Sequence, residues 1–147
     1  MSTVPGMPTD ERPLTDDEYR SLARFRHALR EFLAFSEDAA RAQGITPAQH
    51  QLLLMVRGAE ASGGRPSLTD VADNLHIRLH SAGELVGRAA DHGLIERLVD
   101  PDDGRRTLVS TTPAGREQLE QLSVLHRREL RRFRTEMNQL LHTIDGP

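Results

Sequence analysis

The sequence predicts a mainly α fold with a single small β-hairpin, and three observations predict it. Over most of the 147 residues, apolar side chains recur at three- and four-residue steps, the spacing of helices with one covered face. One short tract breaks that rhythm. In it Leu94, Glu96 and Leu98 alternate with Ile95, Arg97 and Val99, Pro101-Asp102-Asp103-Gly104 carries an Asp-Gly turn signal, and Thr107 to Thr111 is a β-branched return run. Finally, a long helical pattern stands at each end of the chain.

In chain order, residues 1–13 hold three prolines, one glycine and no periodicity, which predicts a disordered arm. Thr15 is placed to cap the next segment, with Asp16, Asp17 and Glu18 in the favourable first turn. A helix is predicted over about 16–43, inside a segment 14–44. Leu22, Phe25, Leu29, Phe32, Leu33 and Ser36 form its stripe; Tyr19 leads the stripe and Phe35 falls off it. That is more apolar surface than a small domain covers alone, so a partner chain is expected. Gly44 ends the helix.

The second helix opens at Thr46-Pro47, a cap followed by proline at the first helical position, and runs to about residue 61. Its inner face is Leu52, Leu53, Val56 and Ala59, and Ser62-Gly63-Gly64-Arg65-Pro66 is loop. The third helix starts at Ser67. Asp70, three residues on, makes a weaker capping box than glutamate or glutamine would. Leu68, Val71, Ala72 and Leu75 face inward, and His76-Ile77 turns into a fourth helix. Ile77, Ala82, Leu85, Val86 and Ala89 give that helix its apolar side, and Gly93 stops it. Two short helices, a tight turn and then a charged ribbon make residues 45–112 a winged helix-turn-helix.

Thr112 and Pro113 open the last element. Leu119, Leu122, Leu130, Phe133, Met137, Leu140, Leu141 and Ile144 continue at helical steps through 113–147. One long helix and two with a kink are both open. The two terminal segments are expected to bury each other's stripes across a two-fold axis, as dimerisation helices.

Composition excludes several classes. There is no cysteine, so neither a disulfide frame nor a thiol switch. No apolar run reaches the roughly 18 residues of a membrane span, and the first residues lack an apolar signal core, so the cytoplasm is expected. His76 and His80 stand four apart, but the first lies in a turn and no HExxH spacing exists, so no metal or other cofactor is expected. No GxSxG, P-loop or GxGxxG is present and no enzyme is read. The net charge of −3 argues mildly against nucleic acid. Every Lys/Arg cation is arginine, the residue suited to phosphate forks and narrow grooves, although a GC-rich genome explains that equally well.

The arrangement points to double-stranded DNA, with the fourth helix in a major groove and the ribbon tip in the neighbouring minor groove. Arg105 and Arg106 lie at that tip, where a cation can enter a narrow minor groove. Arg78 opens the fourth helix and is placed for a phosphate or a guanine edge; His80 and Ser81 are placed for base edges. Glu84 could accept from cytosine N4 or repel phosphate. Ser67 could present main-chain N–H groups to a phosphate, although capping alone explains it. For each, ordinary surface decoration is the rival. Gly83 and Gly87 each cost a helix roughly 1 kcal/mol against alanine, which close approach to DNA would explain and a plain weak spot would explain as well. Five arginines between Arg127 and Arg134 read as a solvated face paired with Glu129 and Glu136, or else as a DNA patch. An effector pocket, if present, is expected where helices one and two meet the last, lined by Phe25, Leu29, Phe32, His50 and Leu54; an aromatic core is the alternative.

The tract Asp100-Pro101-Asp102-Asp103-Gly104-Arg105-Arg106, followed by Leu108-Val109 and Thr112-Pro113-Ala114-Gly115, resembles the wing signature of the MarR family of bacterial transcription regulators. Gly93-Leu94-Ile95-Glu96-Arg97 is similar to that family's helix-to-wing junction, and Ile77-Arg78-Leu79-His80-Ser81 to the start of its recognition helix. The resemblance spans roughly residues 16–144. It implies an obligate homodimer, a palindromic operator and often a small phenolic or other organic effector that releases DNA. It also implies that Asp103 braces Arg105 as the wing pair. Gly83 and Gly87 depart from it, standing where bulkier residues are usual. The expectation is a DNA-binding transcription regulator, a ligand-responsive repressor. Its rival is a ligand- or protein-binding module that uses the winged fold without DNA, favoured by the negative net charge and the two helix glycines.

Overall fold

The computed structural model describes residues 12–145, so most of the predicted N-terminal arm lies outside the described residues. The elements are α1 (Asp16–Ala42), α2 (Pro47–Ala61), α3 (Leu68–Leu75), α4 (Leu79–Asp91), β1 (Ile95–Val99), β2 (Thr107–Thr111) and α5 (Pro113–Asp145). The fold is a winged helix-turn-helix between two long helices, and α5 is one unbroken helix of 33 residues.

The helix starts are set by short polar side chains. Thr15 and Glu18 satisfy each other's main-chain N–H groups in a capping box. Arg12 bonds the Glu18 carboxylate at 2.7 Å and, with the Thr15 N–H, holds its pKa down at about 2. Thr46 and Gln49 repeat the device on α2, with Pro47 in the first turn. Ser67 and Asp70 close a full box on α3 at 2.9 and 3.2 Å, so aspartate suffices where the sequence suggested only a weak cap. The turn between α3 and α4 is made by His76 in the left-handed region at φ 55°, a conformation that disfavours a side chain. Ile77, read from the sequence as the head of the fourth helix's stripe, sits in that turn. It still packs on the core.

The two strands pair antiparallel from Ile95↔Thr111 to Val99↔Thr107. The loop before α3 adds a third, minimal edge: Ser67 bridges Leu108, and the Val109 N–H donates to Pro66 O at 2.8 Å. The Asp-Gly signal does mark the hairpin tip, but not as a two-residue left-handed turn. The strands are joined by residues 100–106, the Arg106 N–H closes a turn on Asp103 O at 3.0 Å, and Gly104 keeps a negative φ.

One core holds the lobe together. Leu52, Leu53 and Val56 of α2 meet Val71 and Ala72 of α3, Ala82, Val86 and Ala89 of α4, Leu94, Ile95 and Val109 of the wing, and Leu119 and Leu122 of α5. Each fully buried valine or leucine contributes about 1.5–3 kcal/mol of transfer free energy, and α2 packs against α1, α3, α4, β2 and α5. Gly115, in the first turn of α5, is there because nothing larger fits: a Cβ would lie 2.0 Å from Leu94 O.

The α1–α5 seam departs from the predicted stripe. Phe25 and Phe32 do pack on Phe133, each with centroids 5.7 Å apart. Phe35, expected off the stripe, packs edge-on against His126 at 5.6 Å, whereas Leu33, expected on it, is exposed. A run of 27 helical residues drifts against any straight stripe drawn from sequence, and α5 crosses the helix on the Phe35 side at that level. Arg132, expected to pair with Glu129 or Glu136, instead bonds Glu31 of α1 at 2.9 Å. Leu130, Leu141 and Ile144 of α5 are exposed in the single chain, as are Tyr19 and Leu22 of α1. Among the described residues no helix is long and apolar enough to cross a membrane.

Candidate nucleic-acid interface

The exposed side of α4 begins at Arg78. It is the N-cap residue, but its side chain makes no capping bond, so the guanidinium is free to reach outward. His80 and Ser81 follow in the first turn, both exposed, and the His80 Nε2 stands 3.2 Å from Glu84 Oε1 one turn on. None of the four belongs to the core, because Ala82, Val86 and Ala89 take the inner side of the helix. Around a Cβ built on Gly83 nothing lies within 4 Å, and on Gly87 only the Arg97 guanidinium does, at 3.9 Å. The α4 backbone is therefore bare on this side. Sequence reasoning missed Leu79, an apolar side chain left 56 % exposed between Arg78 and His80. A leucine there fills no core position, and its mismatch with the inward stripe was the available signal.

The hairpin tip carries the other cations. Asp103 Oδ1 accepts the Arg105 main-chain N–H at 3.0 Å, which orders the turn, but it does not hold the guanidinium as the family resemblance implied. Among the described residues the Arg105 guanidinium has no ion-pair or hydrogen-bond partner. Arg106 instead reaches back, its Nη2 4.0 Å from Asp70 Oδ2 at the start of α3. Asp100, Asp102 and Asp103 set negative charge beside both arginines. Ser67 lies in the fold rather than on its surface: it is 3 % exposed, and its hydroxyl accepts the Asp70 N–H. Capping is the role its geometry supports.

The base of the wing is tied down by a carboxylate that no sequence pattern announced. Glu60, in the last turn of α2, accepts the Thr111 N–H at 2.9 Å, the Thr111 hydroxyl at 2.7 Å and the Arg116 guanidinium at 2.5 Å. Burial works to raise its pKa. The bonds from Thr111 and Arg116 outweigh it and hold the group below the usual carboxylate range. One side chain thus joins the end of α2, the end of β2 and the start of α5.

The five residues expected to line an effector pocket are not gathered round one cavity. Phe25 and Phe32 belong to the ring cluster with Phe133, and Leu29 is half-buried beside them in α1. His50 is buried against His126, and Leu54 is 56 % exposed. One cavity between α1 and α5 measures about 120 Å³ and includes only Phe32 of the five, among Arg24, Glu31, Arg132, Phe133 and Glu136. That is below the roughly 300 Å³ where small-molecule pockets begin. Among the described residues no group of three His, Asp or Glu side chains is placed to hold a metal.

The comparisons agree with this geometry. Residues 43–106 match the model of the MarR family. Among solved structures, the chain is similar to AbsC, a MarR family transcriptional regulator from Streptomyces coelicolor, at 21 % identity and TM-score 0.68, over 91 % of this chain and 95 % of that one. A probable transcriptional regulator from Pseudomonas aeruginosa is 28 % identical with TM-score 0.62, over 82 % and 90 %. A mutant S. aureus MepR bound to an oligodeoxyribonucleotide is 19 % identical with TM-score 0.65, over 90 % and 99 %. No curated protein sequence matches the chain.

Proposed function

We propose, from the premise that this chain belongs to the MarR family of winged-helix proteins, that it is a DNA-binding transcription regulator acting in the cytoplasm as a homodimer on a palindromic operator. The observation that carries the reading is the pairing of an uncommitted polar helix face with an unpartnered arginine at a hairpin tip. Arg78 and Ser81, with the His80–Glu84 pair beside them, face outward to meet base edges and phosphates in a major groove, with the bare backbone at Gly83 allowing close approach. Arg105 is free to enter the minor groove beside it. Leu79 adds an apolar contact of the kind a thymine methyl accepts. Arg106 trades its distant contact with Asp70 for a phosphate.

A second copy of the chain follows from the apolar residues that α1 and α5 leave uncovered, Tyr19, Leu22, Leu130, Leu141 and Ile144. A two-fold pairing of these ends presents two α4 helices to two half-sites. We read the protein as a repressor released by a small organic effector. That the DNA binding of the similar Bordetella bronchiseptica BpsR is regulated by 6-hydroxynicotinic acid supports an effector of this kind.

The test is selection from random duplexes, followed by fluorescence anisotropy at two salt concentrations. A regulator yields a two-fold symmetric motif and an affinity that falls steeply with salt. Equal binding to random and selected duplexes, or a flat salt response, refutes it. A winged module without DNA is the second reading; the acidic residues Asp100, Asp102 and Asp103 crowding the tip favour it, and the same salt slope decides between the two.

A further inference from the structure

Two histidines meet where α1, α2 and α5 converge. His50 of α2 is 7 % exposed, and its ring centroid is 5.0 Å from that of His126 of α5. His126 Nδ1 donates to Leu122 O at 2.6 Å, and its Nε2 shares a 2.8 Å bond with the Ser36 hydroxyl of α1. A hydroxyl can either give or take that hydrogen, so His126 keeps both bonds whether or not it is protonated. Among the described residues the His50 ring has no hydrogen-bond partner that offers the same tolerance. Around the pair, α1 contributes Ser36, Phe32 and Phe35, none of them charged; α5 contributes His126. Among the described residues neither ring has a carboxylate as an ion-pair partner.

The next residue carries the contact onward. Gln49 is 2 % exposed, and its Oε1 accepts the Thr46 N–H at 3.0 Å. That fixes the amide orientation, so its Nε2 is the donor to Nδ1 of His92, 3.0 Å away, the residue that ends α4. A continuous path therefore runs from the long helices, through Ser36, His126, His50 and Gln49, to the end of the helix that faces DNA.

We propose that His50 and His126 form a proton-sensitive joint between the dimerising helices and the DNA-binding lobe, so that acid loosens the grip on DNA. This rests on the DNA-binding reading above. Burial first, and the facing His126 second, hold the His50 pKa below its ordinary 6.5. A group depressed in the packed state binds its proton more readily once the packing opens. The packed joint is complete above the ordinary value and is lost as pH falls below it. A proton on His50 sets a buried charge against the facing ring, with no counter-charge beside it among the described residues. The rings part, α2 shifts against α5, and the spacing of the two α4 helices goes with it.

The experiment measures anisotropy on the selected duplex with the full chain, wild type and His50→Phe, from about pH 7.5 to about pH 5.5. Wild type is expected to lose clearly more affinity than the variant over this range. His80 is common to both proteins, so whatever it contributes cancels in the comparison. Parallel loss in the two proteins overturns the proposal. If the variant does not fold, the ring proton signals of wild type decide: a His50 signal that moves with the midpoint of the affinity loss supports the joint, and one that does not overturns it. Wild type that selects a duplex yet shows no such pH response sinks the joint alone. Wild type that selects no duplex at any pH sinks the DNA reading and the joint with it.

Discussion

Replacing Gly115 by alanine should destabilise this protein, although a simple helix rule predicts the reverse. Gly115 lies in the first turn of α5, and alanine in a helix is worth up to about 1 kcal/mol over glycine. Its Cβ, however, would sit 2.0 Å from Leu94 O, 2.9 Å from Leu94 C and 3.1 Å from Leu53 Cδ2. The nearest contact must open by more than an ångström. The carbonyl cannot simply retreat, because Leu94 O also accepts the Thr112 N–H at 3.1 Å, and Leu94 is buried in the core. Overpacking of this kind typically costs about 1–3 kcal/mol, occasionally more. Set against the full propensity gain, the net expectation is a loss of up to about 2 kcal/mol. Gly58→Ala in α2 is the control, since no atom lies within 4 Å of a Cβ there, and it should gain up to about 1 kcal/mol. Urea denaturation of both variants at one protein concentration reads the difference directly. If Gly115→Ala proves as stable as Gly58→Ala, the docking of α5 on the wing base is not as described.

Three further outcomes are expected. Arg105→Ala should weaken operator binding by about 1–3 kcal/mol while leaving the dimer intact; unchanged anisotropy would remove the hairpin tip from the interface. Gly83→Ala separates two readings of that residue. It should raise the melting temperature in either case, but it should lower DNA affinity only if duplex approaches the bare backbone, where a Cβ now has open space. Glu60→Gln tests the wing anchor through acid stability. The carboxyl is held below its ordinary 4.5, so its contribution is complete above that value and drains away as pH falls through the folded one. Wild type should therefore lose more stability than the variant on acidification to about pH 3, as followed by circular dichroism; parallel acid curves would mean the carboxylate carries no such weight.

Local signals were readable from the chain, and non-local pairings were not. Thr15, Thr46 and Ser67 announced three helix starts because a cap acts within four residues, and Gly93 announced a helix end for the same reason. The face of α4 was legible because its core side is periodic, which leaves Arg78, His80, Ser81 and Glu84 outside by elimination. What failed lies between distant segments. Glu60 and Arg116 are 56 residues apart, Glu31 and Arg132 are 101 apart, and no spacing rule connects them. Phe35 changed sides because the crossing of α5 over α1 is a tertiary fact, decided by Phe133 and His126 rather than by the α1 sequence. Ser67 misled in a different way: the same residue type serves a cap or a phosphate site, and only its burial beneath the wing separates them.

One route from the long helices to the proposed DNA face runs through α2, and the polar contacts show where. Its first turn holds His50 against His126 of α5 and Gln49 against His92 at the end of α4. Its last turn holds Glu60 against Thr111 of β2 and Arg116 of α5. Between them, Leu52, Leu53 and Val56 are fully buried, so the helix has no soft middle in which to absorb a displacement. A shift of α5 imposed from either side, by a proton at His50 or by an effector bound near the α1–α5 seam, must therefore appear at α4, at the wing base, or at both. The two ends respond to different chemistry: one is a pair of rings with no counter-charge, the other a carboxylate with three donors. Loss of the first should move α4, while loss of the second should free the hairpin. Hydrogen exchange on the His50→Phe and Glu60→Gln variants would separate them, with altered protection confined to α4 in one and to β2 in the other.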